Sequence, residues 1–403
     1  MGDKLALSGI KVVEVSTWVA GPSCGMWLGE WGADVVRVEP IEGDPARGLM
    51  QSGVVPVTDF NWFWEMANRS KRGIAADLHH KAGQEIVHKL VEKADIFLAN
   101  LRPGTLKRAG LDYETLSQLN PRLIYANING YGPKGPGADW PSFDEIGFWA
   151  RSGIMAGLGE PGTPLVPLRG SMGDHTTGMF TLGGIALALY VRERTGHGQR
   201  VDLSLLGNGV WVAGVDIQAA LTYNMEIPRY SRKTIGNPLY NHYECKDGKW
   251  FQFQMLQTDR YWTGVCKALE RENLEHDPRY ASHEKRIENS TEIIAIFDEI
   301  FATRNRDEWA PRFDENNLIW GPAHTAMEVT KDPCVLENNY ITEYEHHSGR
   351  KVKGITCPIQ LSQTPSRTPQ GAPEFSQHTE EVLLELGYSW DDISKLKDEK
   401  VIP

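Results

Sequence analysis

The residues best suited to chemistry lie in the segment Gly-Asp-His-Thr-Thr-Gly at positions 173–178. Asp174 stands there just before an almost entirely apolar run at 179–191, which predicts a buried core helix. A carboxylate at a helix start faces unpaired backbone N–H groups and the positive end of the helix dipole, which favour its ionised form. Fixed and partly desolvated, it can be a nucleophile toward an activated acyl group. Asp is also among the best helix N-caps, so the segment alone leaves both roles open.

Three other motif matches lack the context that their chemistry needs. Gly-x-Gly-x-x-Gly occurs at 130–135 and at 157–162, but prolines follow both and neither opens a helix, as a dinucleotide-binding loop must. We predict loops there and no NAD-dependent dehydrogenase. Gly-x-Ser-x-Gly at 21–25 lies several residues beyond its strand, whereas a hydrolase needs the serine directly at the strand end.

Composition narrows the class of partner. The net charge of −11 argues against binding to nucleic acid or an anionic membrane, but a local basic cluster would suffice for a phosphate-bearing small ligand. The apolar run at 179–191 is shorter than the roughly 20 residues that span a bilayer. Five scattered cysteines without a Cys-x-x-Cys pair predict free thiols in a reducing compartment, so we expect a cytoplasmic protein. The adjacent histidine pairs at 79–80 and 346–347 lack metal-ligand spacing, and we predict no metal site.

Strand and helix signals alternate through the first half of the chain, which indicates βαβ units and an α/β fold with a largely parallel sheet. After residue 225 the pattern changes to a hairpin at 240–255, turning at Asp247-Gly248, with helices around it. We predict a large domain over 1–222, a small α+β domain over 223–332 and a C-terminal segment over 333–403. The predicted strands of the first half cover residues 10–16, 34–38, 95–99 and 123–128, and the predicted helices of the whole chain include 82–94, 175–194, 205–221, 261–269, 290–301 and 379–386.

Short segments in a fixed order run through essentially the whole chain. They are Leu-Ser-Gly-Ile-Lys-Val-Val-Glu-Val from Leu7, Ala-Gly-Pro from Ala20, Gly-Ala-Asp-Val-Val-Arg-Val-Glu-Pro from Gly32, Asn-Arg-Ser-Lys-Arg-Gly-Ile from Asn68, Ala-Asn-Leu-Arg-Pro-Gly from Ala99, Gly-Tyr-Gly from Gly130, Gly-Asp from Gly173 and Thr-Gly-His-Gly-Gln from Thr195. Together they resemble the family III CoA-transferases, the formyl-CoA, carnitine and cinnamoyl-CoA:phenyllactate type. The resemblance implies a Rossmann-like large domain completed by the C-terminus, a smaller domain, and a homodimer of interlocked chains.

The resemblance also implies the chemistry. Asp174 would attack the thioester of an acyl-CoA donor, and a free carboxylic acid would accept the CoA through an aspartyl anhydride and an aspartyl-CoA thioester. No permanently bound cofactor, metal or ATP is needed, because coenzyme A is part of the substrate. Backbone N–H groups near Gly173 and His175 are candidates to stabilise oxyanions, and His175 has no assigned role. For CoA binding the resemblance points to two predicted βα loops, with the residues Lys71, Arg72, Asn100, Arg102 and Arg108.

The chain departs from the formyl-CoA members at three positions. Val19 replaces a glutamine that lines the acyl site, Pro40 replaces an arginine, and Asn129 replaces a lysine, so a small, strongly polar acid is disfavoured. Large apolar side chains accumulate in the same regions and predict a pocket for a bulky or aromatic acid, although core or dimer-interface positions explain them equally well. These side chains are Trp18, Trp62, Phe63, Trp64, Phe148, Trp149 and Met172.

Three alternatives share the fold or the site. An intramolecular CoA-transferase would use the same Asp174 on one diacid. An acyl-CoA racemase would need a histidine base where this chain has Phe143, which cannot take a proton. A CoA-binding protein without catalysis is disfavoured by the intact Gly173-Asp174 pair.

Overall fold

The computed structural model describes residues 5–166 and 168–403. Contacts divide the described chain into a larger unit, made of residues 5–156, 168–226 and 339–403, and a smaller unit, made of residues 157–166 and 227–338. These limits lie a few residues from the predicted domain boundaries. The sequence does not predict that 157–166 joins the smaller unit.

A sheet of six parallel strands forms the centre of the larger unit. The strands are β1 (Lys11–Val15), β2 (Asp34–Glu39), β3 (Arg72–Ala75), β4 (Ile96–Ala99), β5 (Ile124–Asn129) and β6 (Arg200–Ser204). Their order, β3-β2-β1-β4-β5-β6, makes β1 and β4 neighbours where the strand order reverses. The prediction of an α/β fold with a Rossmann-like parallel sheet is confirmed, and ligands of such sheets bind at this reversal, beyond the carboxyl ends of the strands.

Helices cover both faces of this sheet. Alternate residues of β1 point to opposite faces of the sheet. Val13 belongs to the core cluster that contains Ile86 and Val87 of α3. Val12 belongs to the cluster on the other face, which contains Leu28 of α1 and Ile185 of α7. The helices are α1 (Ala20–Glu30), α2 (Trp62–Asn68), α3 (Lys81–Glu92), α4 (Pro103–Arg108), α5 (Tyr113–Leu119), α6 (Ile154–Gly157), α7 (Met172–Thr195), α8 (Leu205–Val212) and α9 (Gly214–Tyr223), with a 3₁₀ helix at Pro45–Ser52 and a π-helix at Glu145–Ala150.

The long helix α7 is only partly a core helix. Leu182 and Ile185 are buried against α1, whereas Leu187 is 70% exposed and Tyr190 is 63% exposed. The expectation that the apolar run at 179–191 is buried throughout is therefore wrong for one face, because α1 and the sheet cover only the other. None of the helices within residues 5–166 and 168–403 combines the length and the hydropathy needed to cross a membrane.

The smaller unit is α+β, as predicted. A three-stranded antiparallel sheet packs its inner face on a cluster of aromatic rings, with Phe251 between Tyr243, Phe301 and Phe313. The predicted hairpin forms and turns at Gly248, whose φ is 73°. The elements are β7 (Tyr240–Glu244), β8 (Trp250–Gln254), β9 (Trp320–Ala323), α10 (Thr258–Ala268), α11 (Glu272–Glu275), α12 (His283–Glu288), α13 (Ser290–Phe301), α14 (Arg306–Glu315), α15 (Ala326–Val329) and α16 (Pro333–Glu337).

The C-terminal segment returns to the larger unit. Val382 and Leu383 lie in the core cluster on the β1 face that carries α3, together with Ile393 and Leu396 of the last helix, which the sequence does not predict. The elements are the antiparallel pair β10 (Ile341–Glu345) and β11 (Lys351–Ile355), then α17 (Thr379–Glu385) and α18 (Trp390–Asp398).

Candidate active site

A cavity of about 330 Å³ opens beyond the carboxyl ends of β1, β4 and β5. Its walls are the residues at or just after the ends of these strands, at 17–20, 100–103 and 128–130, together with the segment 140–143. Asp174, in the first turn of α7, also lines it. The parallel sheet therefore brings a carboxylate of a distant helix to the position where ligands of this fold class bind.

Asp174 is not the N-cap of its helix. Ser171 holds that position, with a φ of 77° and no capping hydrogen bond from its side chain. The carboxylate of Asp144 caps the helix instead, because it accepts hydrogen bonds from the backbone N–H groups of Gly173 and Asp174, the latter at 2.9 Å. The carboxylate of Asp174 is thereby left without a capping role.

Close packing fixes the backbone next to Asp174. A Cβ atom on Gly173 would lie 2.2 Å from Cγ of Phe148 and 2.5 Å from Oδ1 of Asp144, so glycine is required there. The buried Asn208 donates from Nδ2 to the Gly173 carbonyl at 3.3 Å and to the Thr177 hydroxyl at 2.8 Å. The first turn of α7 is therefore held from two sides by side chains of other segments.

The electrostatic environment of Asp174 opposes its charge. Burial first, then the negative charges of Asp144 and Glu145, raise the pKa of Asp174 to about 7. The prediction that the helix start favours its ionised form is wrong, because the N–H groups that would do so donate to another carboxylate. His175 is partly buried, which lowers its pKa, and its N–H donates to the Ser171 carbonyl. None of these N–H groups is free for an oxyanion, contrary to expectation.

Of the predicted CoA-binding residues, Asn100 and Arg102 line the cavity together with Asp174. Asn100 is fixed to the backbone of Thr17, accepting from its N–H at 2.8 Å and donating to its carbonyl at 2.7 Å. Arg102 is exposed at the start of α4. Arg108, the last residue of α4, is also exposed and donates to the hydroxyl of Thr105, which lines the cavity. A guanidinium pair therefore flanks the cavity.

Lys71 and Arg72 do not line the cavity, so the structure does not bring them to Asp174. Lys71 directly precedes β3 and Arg72 is its first residue, so both backbones lie at the amino ends of the strands, at the opposite edge of the sheet. Lys71 is buried with its ammonium 2.9 Å from Glu14, and burial lowers its pKa to about 8. Arg72 pairs with Asp34 at 2.7 Å and with Glu385 at 2.9 Å. The expectation that they occupy a βα loop is wrong, because they lie at the start of β3 and not after the end of a strand.

Aromatic rings form one wall of the cavity. Trp18, Trp140 and Phe143 line it, and the rings of Trp18 and Phe143 meet edge to face at 5.6 Å. Trp18 alone comes from the predicted set, and its φ of 63° is left-handed, a strained conformation for a bulky residue. The other predicted side chains lie elsewhere: Phe63, Trp64 and Phe148 are buried, Trp62 and Met172 are exposed, and Trp149 donates to Asp144 at 2.9 Å.

A buried charge network supports the strained turn at Trp18. Asp44 accepts a hydrogen bond from the Trp18 backbone N–H at 3.1 Å and pairs with Arg37, which also pairs with Glu14 at 2.9 Å. The Arg37, Asp44 and Glu14 side chains are fully buried. The sequence gives one signal of this network, charged residues inside two otherwise apolar strands, and we did not predict its role.

The described part of the chain contains no cluster of three or more His, Cys, Asp or Glu side chains that could hold a metal ion.

The chain matches the family model described as CoA-transferase family III over residues 7–379. It belongs to this family.

Relatives of this family III CoA-transferase match over nearly its whole length. (R)-2-hydroxy-4-methylpentanoate CoA-transferase of Clostridioides difficile is 33% identical, over 99% of this chain and 100% of the relative. Cinnamoyl-CoA:phenyllactate CoA-transferase of Clostridium sporogenes is 32% identical, over 98% and 97%. A CAIB/BAIF family protein of Brucella suis has the same fold, with a TM-score of 0.84 at 29% identity, over 95% and 100%. The protein is therefore a CoA-transferase, and CoA enters as part of its substrate.

Proposed function

We propose that the enzyme moves CoA from an acyl-CoA thioester to a separate carboxylic acid through covalent intermediates on Asp174. The observation that supports this most is the position of the Asp174 carboxylate. It lines the cavity at the strand-order reversal, and its backbone is held by Asp144 and Asn208. A fixed carboxylate with no other structural role is what a nucleophile of this reaction requires.

The steps follow from carboxylate chemistry. An oxygen of Asp174 bonds to the thioester carbonyl carbon, the carbonyl π pair moves to oxygen, and the return of that pair expels CoA thiolate and leaves an anhydride. The thiolate then attacks the aspartyl carbonyl and expels the donor acid, which leaves an aspartyl-CoA thioester. The acceptor carboxylate reverses both steps. One thioester replaces another, so the exchange needs no external energy source.

Arg102 and Arg108 are the residues best placed to bind the CoA phosphates. Both guanidinium groups are exposed beside the cavity, whereas Lys71 and Arg72 are committed to ion pairs elsewhere. We assign Asn100 to the cavity wall, where it holds the Thr17 backbone in place for the pantetheine arm. Phosphate contacts of arginine are strong because its fork matches the oxygens in pairs.

The acyl group that fits best is bulky and apolar or aromatic. The wall of Trp18, Trp140 and Phe143 offers ring faces and edges rather than charges. The two relatives named above act, by their names, on acids with a branched or aromatic side chain. Racemisation is disfavoured, because that reaction needs a base at the position of Phe143 and a phenyl ring cannot accept a proton.

We place the reaction in the cytoplasm and in a homodimer. The described chain has unpaired thiols at all five cysteines, which is typical of a reducing compartment. An apolar groove of about 900 Å³ on α8 and α9, with Trp211 73% exposed and Val215 78% exposed, supports a second copy as partner.

A transfer assay with defined donors and acceptors tests this function. We expect CoA to pass from an aryl- or branched-acyl-CoA to an added 2-hydroxy acid, with short dicarboxylates at least tenfold slower. Turnover without an added acceptor would indicate the intramolecular reaction. Deuterium uptake from solvent at C2 of a 2-methylacyl-CoA would indicate racemisation, and faster transfer to short dicarboxylates would contradict the bulky-acyl assignment.

A further inference from the structure

The carboxamide of Asn129 is oriented by its own loop. Asn129 ends β5 and lines the cavity that contains Asp174, and only 8% of it is exposed. Its Oδ1 accepts hydrogen bonds from the backbone N–H groups of Tyr131, at 3.1 Å, and Gly132. Because two donors fix which end is oxygen, the position of the amide nitrogen is settled as well.

The Nδ2 nitrogen of Asn129 is buried and has no hydrogen-bond partner within residues 5–166 and 168–403. A buried N–H group left unpaired is energetically unfavourable, so such a group calls for an explanation. The adjacent amides differ: Asn100 donates to the Thr17 carbonyl, and Asn208 donates to Gly173 and Thr177. Asn129 therefore presents a preoriented donor whose partner is missing from the chain itself.

The proposed reaction creates an acceptor of the kind that this donor lacks. Attack by Asp174 moves the thioester π pair onto the acyl oxygen, and an N–H donor at that oxygen lowers the barrier. The backbone N–H groups of Gly173 and Asp174 are occupied by Asp144, so they do not serve. We infer that Asn129 is a catalytic residue whose Nδ2 donates a hydrogen bond to this acyl oxygen. This inference rests on the proposed function.

Asn129→Asp separates donation from folding. The aspartate keeps the oxygen that accepts from Tyr131 and Gly132, but it removes both N–H donors. We expect the single-turnover release of donor acid from acyl-CoA, compared at its pH-independent maximum, to slow by about 10²- to 10³-fold. The KM for acyl-CoA should change less than about threefold, because the bond strengthens mainly as charge develops.

Two leucine variants complete the test. Asn129→Leu removes the donor without adding a charge and should slow release to a similar extent. Asn127→Leu removes a buried amide of the same strand that does not line the cavity, and its release should stay within about threefold of wild type. Thermal unfolding identifies any variant that fails to fold.

The outcomes separate this inference from the proposed function. If wild type releases no donor acid, the proposed function fails and the role of Asn129 with it. If wild type releases one equivalent and Asn129→Asp does so at a comparable rate, only the role of Asn129 is overturned. A rise in KM with an unchanged rate in Asn129→Asp also overturns it, since the amide would then bind another part of CoA.

Discussion

Asp174 combines a fixed position with an environment that resists its charge. Burial and two neighbouring carboxylates hold its pKa near 7, about three units above an ordinary aspartate. Once ionised, such a carboxylate is more basic than an exposed one, because burial and the charges of Asp144 and Glu145 destabilise its charge. The same features make the protonation state of Asp174 sensitive to pH in the neutral range.

We predict that kcat/KM for acyl-CoA rises with pH and levels off above about pH 7. Only the ionised form of Asp174 attacks, and its pKa lies there in the free enzyme. In Glu145→Gln the inflection should move to lower pH, because one of the two repelling charges is gone. A full pH–rate profile of both proteins measures the shift.

An acid far from the cavity provides the control. Glu92→Gln neutralises an exposed carboxylate at the end of α3, and its profile should overlay that of wild type. A profile that is flat between pH 5 and 9, or an inflection that Glu145→Gln leaves in place, would contradict the assignment of the pKa to Asp174.

At the residue scale the sequence predicts some site members and not others. Asp174 stands at a helix start that the pattern locates, whereas Asn100 and Arg102 are implied by the family resemblance, and all three line the cavity. Lys71 and Arg72 are misplaced because a four-residue strand with an arginine and a glycine gives too weak a signal to show which edge of the sheet they flank. The position of a residue near a strand in the sequence does not by itself show whether it lies at the amino or the carboxyl edge of the sheet.

The start of α7 is the element on which the site depends. Gly173 has no room for a side chain, whereas a Cβ on Gly183 in the same helix would meet nothing within 4 Å beyond its chain neighbours and the nearby helix backbone. The two glycines therefore allow a matched test. Alanine at position 173 tests packing at the start of the helix, and alanine at position 183 tests helix propensity in its middle.

We predict opposite effects of alanine at these positions. Gly183→Ala should raise the free energy of unfolding by about 0.5 to 1 kcal/mol, because alanine restricts the unfolded chain and favours the helix. Gly173→Ala should lower both stability and kcat, since Phe148 and Asp144 must move. Denaturant unfolding and transfer assays measure the two effects. Normal kcat in Gly173→Ala would show that the turn is not held as tightly as its contacts indicate.

Most elements of the larger sheet follow from pattern alone. β1, β2, β4 and β5 are runs of β-branched and apolar residues between turn signals, and the structure places them within one or two residues of prediction. β6 is missed because its residues Arg-Val-Asp-Leu-Ser alternate at an edge of the sheet, and α18 because it is short and mostly charged. The capping of α7 by Asp144 is a tertiary contact that no local pattern contains.

At the scale of the whole molecule, the larger unit leaves apolar surface uncovered. Leu187 of α7 and Trp211, Val215 and Leu221 of α8 and α9 are each at least 70% exposed. Exposed apolar patches of this size mark association surfaces. Periodicity predicts one helix over 205–221, where the structure has two helices that meet at Ala213. It cannot distinguish a core face from an interface, because both are apolar.

We predict a dimer in sedimentation equilibrium, at twice the chain mass of 45.2 kDa. Val215→Glu should shift the distribution toward monomer, because a charge in a desolvated interface is costly. Val54→Glu is the matched control, since Val54 is equally exposed at 74% in a loop outside these helices. A wild-type monomer, or a Val215→Glu dimer as stable as the control, would contradict a homodimer through this face.

The central claim is that CoA transfer proceeds through Asp174, and trapping tests it most directly. The enzyme is incubated with an acyl-CoA that supports turnover, treated with hydroxylamine and mapped by peptide mass spectrometry. The account predicts an aspartyl hydroxamate at Asp174, formed only when acyl-CoA is present and absent from Asp174→Asn. A hydroxamate at another residue, or none with a donor that turns over, would contradict it.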